Sequence, residues 1–249
     1  MINPNTFAER LLKDARISTG MKVLDIGCGN GEVSFLVSKI IGESGKVVGV
    51  DIDSQAVTTA RKRSEEYVCS NVTFVEGKIS EVVPTLNQFG AVVGRRILMY
   101  LDDPLETLKS IIKILKPGGL VVFQESDSTM VPCSIVSMPL HDKIVNWIWK
   151  TVKREGADIH MGFNLQSLFN RAGVLTDHIR SEPVIQGQGT HYSLEFIIRA
   201  MLPRIIKHNV ASEAEIDIET LARRLSEERS DDTVYISDMA FGIWGHKPA

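Results

Sequence analysis

Three glycines at alternate positions, Gly27, Gly29 and Gly31, follow the apolar run Val23-Leu24-Asp25-Ile26 and precede an amphipathic segment that begins at Glu32. This is the pattern of a strand that opens through a glycine turn into a helix. A ligand can lie against such a turn, because glycine accepts positive φ and carries no side chain to hold the ligand off. The amides at the start of the following helix favour an anionic group. A second acid, Asp51, closes the β-branched run Lys46-Val47-Val48-Gly49-Val50. Further polar residues follow later runs: Lys78 the third, Arg95 and Arg96 the fourth, Glu125 and Asp127 the fifth. In an open parallel sheet the carboxyl ends of the strands face one crevice, which is where ligands bind.

The elements that position these residues are read from the hydrophobic period. Pro4 to Ile17 reads as a short amphipathic helix and Met21 to Ile26 as the first strand. Val33, Leu36, Val37, Ile40 and Ile41 keep helical spacing up to Gly42, and Ser54 is placed to cap a helix that runs to about Cys69. Asn71 to Glu76 and Ala91 to Val93 give two more strands, separated by an irregular stretch around Pro84. Asp102-Asp103-Pro104 starts a helix with an apolar stripe through Leu105, Leu108, Ile111, Ile112 and Leu115. Lys116-Pro117-Gly118-Gly119 stops it before the strand Leu120 to Glu125. This alternation predicts an α/β protein with a mostly parallel sheet covered on both faces.

Beyond Ser126 the regularity changes. The spacing predicts an aromatic-rich helix from Leu140 to Arg154, a helix from Leu165 to Arg171 and a strand from Val174 to Ile185. Gly187-Gln188-Gly189 then opens a helical stretch from about Tyr192 to Glu228, interrupted at Pro203, and Thr233 to Trp244 closes the chain as a strand. The expected organisation is a single domain over 1–249, with helical insertions at 131–173 and 187–230 that suggest a lid.

Composition narrows the function. Lysine and arginine number 28 against 31 acids, so nothing in the net charge of −3 calls for nucleic acid or an anionic membrane as partner. Apolar runs are broken well short of the ~20 residues of a spanning helix. Met1-Ile2-Asn3-Pro4 carries no secretory signal, which makes a cytoplasmic location the expectation. Cys28, Cys69 and Cys133 are too widely spaced for a disulfide framework or a zinc ribbon, so no metal is expected.

Two classes of nucleotide suit a glycine turn followed about twenty residues later by an acid, since that acid can hold ribose hydroxyls in either. Asp51 alone does not choose between them. The turn does more, because Gly27-x-Gly29-x-Gly31 is not the G-x-G-x-x-G of dinucleotide folds. Asp25 would sit poorly against a pyrophosphate and suits a ligand with a charged amine, such as S-adenosylmethionine.

At this point the chain resembles the class I S-adenosylmethionine-dependent methyltransferases. Val23 to Gly31 is similar to the family's first motif, Val48-Gly49-Val50-Asp51-Ile52-Asp53 to the second and Asn71 to Gly77 to the third. Leu115-Lys116-Pro117-Gly118-Gly119-Leu120 resembles the lead into strand five. The resemblance implies a three-layer Rossmann-like sandwich whose seven-stranded sheet has an antiparallel last strand. It also implies that Gly27, Cys28, Gly29 and Asn30 pass under the methionine part of the cofactor, with Asp25 supporting the turn and the amino group. Asp51 would accept both ribose hydroxyls, Ile52 would pack on adenine, and Lys78, Ile79 and Arg95 would complete the cofactor site. Two positions depart from the family. Lys78 stands where an acid often reaches the adenine amino group, and Gly90 stands where an Asp commonly precedes strand four.

The acceptor side is less determined. Arg96, Tyr100, His160 and Trp147 are candidate substrate residues, with packing or solvated surface as the alternative for each. A histidine near neutral pH can take a proton from a nucleophile, which brings in His141, His160 and His191. Glu125 and Asp127 either orient a substrate or are solvated loop acids. Gly156 to Leu165 also resembles a segment of some small-molecule methyltransferases. The leading reading is methyl transfer to an O, N or C atom of a small molecule by a monomer or homodimer. A non-catalytic cofactor-binding module and a nicotinamide-dependent oxidoreductase are the alternatives.

Overall fold

The computed structural model describes residues 6–129, 133–187, 190, 193–229 and 232–249. Met1, Ile2, Asn3, Pro4, Gln188, Gly189, His191 and Tyr192, named above, lie outside the described residues. The chain forms two compact units. The first takes the chain up to Glu125, Met161–Ser181 and Phe241–Ala249, and the second takes Ser126–His160 and Glu182–Ala240.

The first unit begins with α1 (Phe7–Asp14), β1 (Lys22–Ile26), α2 (Glu32–Ile41), β2 (Lys46–Asp51), α3 (Ser54–Glu66) and β3 (Val72–Glu76). A short α4 (Ile79–Val82) leads to β4 (Phe89–Arg95), α5 (Pro104–Ile114) and β5 (Leu115–Ser126). After β6 (Cys133–Ser134) and α6 (Pro139–Arg154), α7 (Met161–Ala172) returns to this unit and packs against α5. The remaining elements are β7 (Leu175–Gln186), α8 (Leu194–Lys207), α9 (Glu213–Ile216), α10 (Ile218–Glu228) and β8 (Tyr235–His246).

The strands follow the order β3-β2-β1-β4-β5-β8, with β6 and β7 both paired to β8. The five strands from β3 to β5 are parallel. The Lys247 N–H donates to the Gly119 carbonyl at 2.8 Å, so the end of β8 meets the start of β5 and the two run antiparallel. The eighth strand, beyond the seven expected, is β6, a two-residue pairing of Cys133 with Ile236 and Ser134 with Tyr235. At Gly90 the β4–β5 register shifts between Phe89 and Ala91, a local bulge that lets the strand bend.

Each unit buries its own apolar surface. In the first, Val23, Val47, Val72 and Ala91 of the strands pack with Phe35, Leu36 and Val37 of α2 and with Leu11 and Leu12 of α1. In the second, Ile144, Trp147 and Val152 of α6 meet Ile198, Met201 and Ile205 of α8 and Leu221 and Leu225 of α10. Two local expectations are corrected. Asp53, not Ser54, caps α3, its carboxylate accepting the N–H groups of Gln55 and Ala56 at 2.9 and 3.1 Å. Pro203 lies inside α8 without ending it, and the break comes after Lys207, where Asn209 adopts φ +51°. Loss of one backbone hydrogen bond is outweighed here by the buried face that α8 presents on both sides of the proline.

The glycine turn permits a direct test of these contacts. A Cβ on Gly31 would come within 2.8 Å of the Phe74 ring and 2.9 Å of the Phe35 ring, whereas one on Gly29 would meet nothing within 4 Å, and both residues have positive φ. Gly29→Ala is expected to lower stability by about 1–2 kcal/mol through backbone strain alone. Gly31→Ala adds overpacking to that strain and is expected to cost about 1–3 kcal/mol more. Urea unfolding of both variants measures the difference, and equal losses would contradict the packing assigned to Gly31.

Candidate active site

The end of β2 holds the turn after β1. Gly27, Gly29 and Gly31 have φ of +65°, +51° and +81°, so all three alternate glycines occupy the left-handed region that favours glycine. The N–H groups of Gly27 and Cys28 both donate to the Val50 carbonyl, at 2.8 and 3.1 Å. The Gly29 N–H donates to Asp51 Oδ2 at 2.8 Å, and the Gly31 N–H to the Cys28 carbonyl at 2.9 Å. These four amides are therefore taken, and the turn is not a phosphate cradle of the kind that needs free N–H groups. Asp51 Oδ1 accepts the Asp53 N–H at 2.9 Å, so each oxygen carries one backbone donor and keeps capacity for another.

Asp25 lies beneath the turn at 1% exposure, with Oδ2 accepting the Ser34 hydroxyl at 2.6 Å and Oδ1 without a partner. Burial raises its pKa to about 7, against the Ser34 hydrogen bond and the Arg95 charge. The Cys28 thiol is buried there too, and desolvation, with Asp25 and Asp51 adding to it, pushes its pKa up. Asn30 is exposed, and its carbonyl accepts from Arg63 Nη1 at 2.8 Å.

Beside the turn opens a pocket of about 550 Å³ within the first unit. Gly27, Asp51, Ile52, Lys78, Ile79 and Tyr100, all singled out from the sequence, line it. Ile52 leaves 64% of its surface exposed, and Ile79 and Val83 continue an apolar strip. Sequence reasoning missed the opposite wall, made by Asp102, Asp103, Glu106, Thr107 and Ser110 at the start of α5. Its signal was present, since the residues at 103, 106, 107 and 110 form the polar face of the helix whose apolar stripe was recognised. Asp103 caps α5 by accepting the Glu106 N–H at 2.9 Å, and Glu106 pairs with Lys109 at 2.7 Å. With Asp51, Asp102, Asp103 and Glu106 against Lys78, the lining is acidic and suits a cationic ligand over an anionic one.

Asp25, Cys28, Gly29, Asn30, Arg95 and Arg96 are not part of the pocket lining. Arg95 forms an ion pair with Glu32 at the start of α2, and this hydrogen bond holds the Glu32 carboxyl below its usual range. Arg96 sits at φ +53° with its N–H bonded to the Gln124 carbonyl at 2.8 Å. Glu125, one of the acids offered above as substrate-orienting or solvated, is neither. It is fully buried, and its Oε1 accepts the N–H groups of Ile97 and Leu98 at 3.0 and 2.8 Å, fixing the segment that carries Tyr100. Burial raises its pKa to about 7 in spite of those two bonds.

The remaining candidates belong to the second unit. Trp147 is 3% exposed within the helical core, so its indole is a packing group and not a substrate contact. His141 is equally buried, edge-on to Tyr235 at 5.0 Å, with neither ring nitrogen bonded, and burial lowers its pKa. His160 is exposed and lies beside Asp127, which is fully buried and not a solvated loop acid.

The two buried carboxyls of the first unit set a pH dependence. A carboxyl whose folded pKa is raised keeps its proton through the range where the unfolded chain loses it. Asp25 and Glu125 therefore lower stability progressively as pH rises from about 4 to about 7, and by a constant amount above that. Asp25→Asn combined with Glu125→Gln is expected to flatten this fall relative to wild type. Urea unfolding between pH 4.5 and 7.5 checks it, and parallel curves would refute it.

The sequence agrees with a family defined by such a site. Residues 17–173, more than half of the chain, match the model of a methyltransferase domain. The demethylmenaquinone methyltransferase of Staphylococcus saprophyticus is 28% identical over 187 residues, which cover 71% of this chain and 79% of that protein. In fold, the chain is similar to a SAM-dependent methyltransferase from Aquifex aeolicus, with a TM-score of 0.59 at 16% identity over 97% of this chain and 89% of that one. It is also similar to phosphoethanolamine N-methyltransferase 2 of Haemonchus contortus, solved with phosphomonomethylethanolamine and S-adenosylhomocysteine. That comparison gives a TM-score of 0.60 at 19% identity over 97% of this chain and 52% of the other. The chain belongs to the methyltransferase domain family and is a class I methyltransferase that uses S-adenosylmethionine.

Proposed function

We propose that this enzyme transfers the methyl group to an oxygen, nitrogen or carbon atom of a small molecule, and that a hydroxylated aromatic of the demethylated-quinol kind is the acceptor to test first. The observation that carries the cofactor side is the pairing of Asp51 with the exposed Ile52 at the rim of an acidic pocket. Asp51 has one free acceptor site on each oxygen, the number a ribose diol needs. Ile52, Ile79 and Val83 offer adenine an apolar face. The amides of Gly27, Cys28, Gly29 and Gly31 are already taken and are not available to a pyrophosphate, which argues against a nicotinamide dinucleotide. Lys78 pairs with Glu81 at 3.6 Å and cannot accept from the adenine amino group, so Ile79 and the backbone near it take over that edge.

S-adenosylmethionine brings an activated methyl on a cationic sulfur. The protein's part is to bind, orient and exclude water, and near-attack positioning of this kind reaches about 7–11 kcal/mol in intramolecular analogues. The acceptor reading draws on the demethylmenaquinone methyltransferases among the relatives.

Asp51→Ala is expected to weaken S-adenosylhomocysteine binding about 10- to 100-fold in calorimetry, the range for losing charge-assisted hydrogen bonds. Unchanged affinity would remove Asp51 from the site. For the acceptor, methyl transfer from labelled S-adenosylmethionine is to be followed by mass spectrometry over 1,4-naphthohydroquinone, catechol, simple amines, a peptide mixture and RNA. Methylation of the hydroquinone or another small acceptor is the expected result, and methylation confined to peptide or RNA would overturn the proposal.

A further inference from the structure

One wall of the pocket in the first unit hangs from a side chain that does not line it. β4 ends at Arg95, and the chain turns at Arg96, where φ is +53°. It then enters a 3₁₀ turn, Leu98–Tyr100, which the Tyr100 N–H closes on the Ile97 carbonyl at 3.0 Å. Ile97, Tyr100, Leu101 and Asp102 line the pocket. The opening N–H groups of such a turn have no partner within it. Here β5 supplies the partners in order: the Gln124 carbonyl accepts the Arg96 N–H at 2.8 Å, and Glu125 Oε1 accepts those of Ile97 and Leu98 at 3.0 and 2.8 Å.

A carboxyl is a costly choice for that task. Glu125 is fully buried, and its second oxygen has no partner among the described residues. Desolvation opposes its charge, while the amides of Leu98 and Ile97, the Arg96 guanidinium and the Met99 amide favour it. A neutral acceptor or a water would satisfy the two amides at less cost. What the carboxylate adds is stiffness, because hydrogen bonds to an ionised acceptor are shorter and about twice as strong as neutral ones. The stiffness reaches the pocket through Ile97, whose side chain lies so close to Gly27 that a Cβ there would be 2.6 Å from it. Glu125 thereby ties the 97–102 wall to the glycine turn.

We propose that Glu125 is a positioning residue for the cofactor, setting the place of Ile97 and Tyr100 in the pocket through the backbone of residues 97 and 98, so that cofactor affinity follows the reach of its side chain. The inference rests on the Asp51 pocket being the cofactor site, as proposed above. A role confined to folding would cost stability and leave the affinity of the folded protein as it is. A positioning role ranks variants by whether an acceptor oxygen still meets both amides, whatever their stability.

The test titrates the whole protein with S-adenosylhomocysteine in a calorimeter at pH 8, with urea unfolding of each variant alongside. Glu125→Asp keeps the charge but is one methylene too short to reach both amides, and is expected to bind about 10-fold or more weakly, the range for losing a charge-assisted hydrogen bond. Glu125→Gln keeps the length and an acceptor oxygen, and is expected to stay within about 3-fold of wild type, a neutral bond replacing a charged one. Amide hydrogen exchange at Ile97 and Leu98 should quicken in Glu125→Asp and stay near wild type in Glu125→Gln. In the wild-type protein S-adenosylhomocysteine should slow exchange at the same two amides, and this arm carries the test if Glu125→Asp does not fold. A folded Glu125→Asp that binds as tightly as wild type, a Glu125→Gln weakened as much as Glu125→Asp, or wild-type amides indifferent to the ligand overturns the proposal. Asp51→Ala is measured beside them. If it weakens binding while Glu125→Asp does not, only the role of Glu125 falls; if it leaves binding unchanged, the pocket reading falls and this inference with it.

Discussion

The site depends on the carboxyl end of β2. One carbonyl, that of Val50, receives two consecutive amides of the glycine turn, and the next side chain, that of Asp51, receives a third. A loop this short and this polar would otherwise have to find those partners in solvent or in a ligand. Because the neighbouring strand supplies them, the turn is rigid before anything binds, and its shape is set by the β1–β2 register that pairs Ile26 with Val50. The same constraint places Asp51 where one carboxylate both braces the turn and faces the pocket.

From that anchor the other walls follow. Parallel pairing of β1 with β4 brings Ile97 against Gly27, where even a Cβ would lie 2.6 Å from the isoleucine side chain. Glu125 at the end of β5 then holds the backbone beyond Ile97. Its burial is tolerated because two N–H groups meet one oxygen, although the other oxygen has no partner. Such a carboxyl organises a loop at the expense of pH-dependent stability.

Much of this was legible in the sequence, for reasons that can be named. Glycines at 27, 29 and 31 advertise positive φ, and β-branched runs ending in Asp or Arg advertise strand ends, because both depend on local chemistry. What stayed hidden depends on tertiary partners. Glu125 and Asp127 have the look of loop acids, yet both are buried by segments distant in the chain. For Trp147 the sequence left substrate contact and packing open, and packing holds, because α8 and α10 enclose it in a core. Pro203 has the local signature of a break and is overridden by packing on either side of it. The α5 wall of the pocket is not marked as a site in the sequence, because Asp103, Glu106, Thr107 and Ser110 have the composition of an ordinary solvated helix face.

Cys28 gives the anchored turn a clock. Its thiol is buried, and desolvation, with the charges of Asp25 and Asp51 adding to it, pushes its pKa up, while Cys133 is exposed. Alkylating reagents act on thiolates they can reach, so Cys28, only 7% exposed in the folded turn, is labelled mainly during its excursions. The rate at which this one sulfur is labelled thus counts how often β2 lets go of the loop, a local opening frequency that neither global unfolding nor turnover reports.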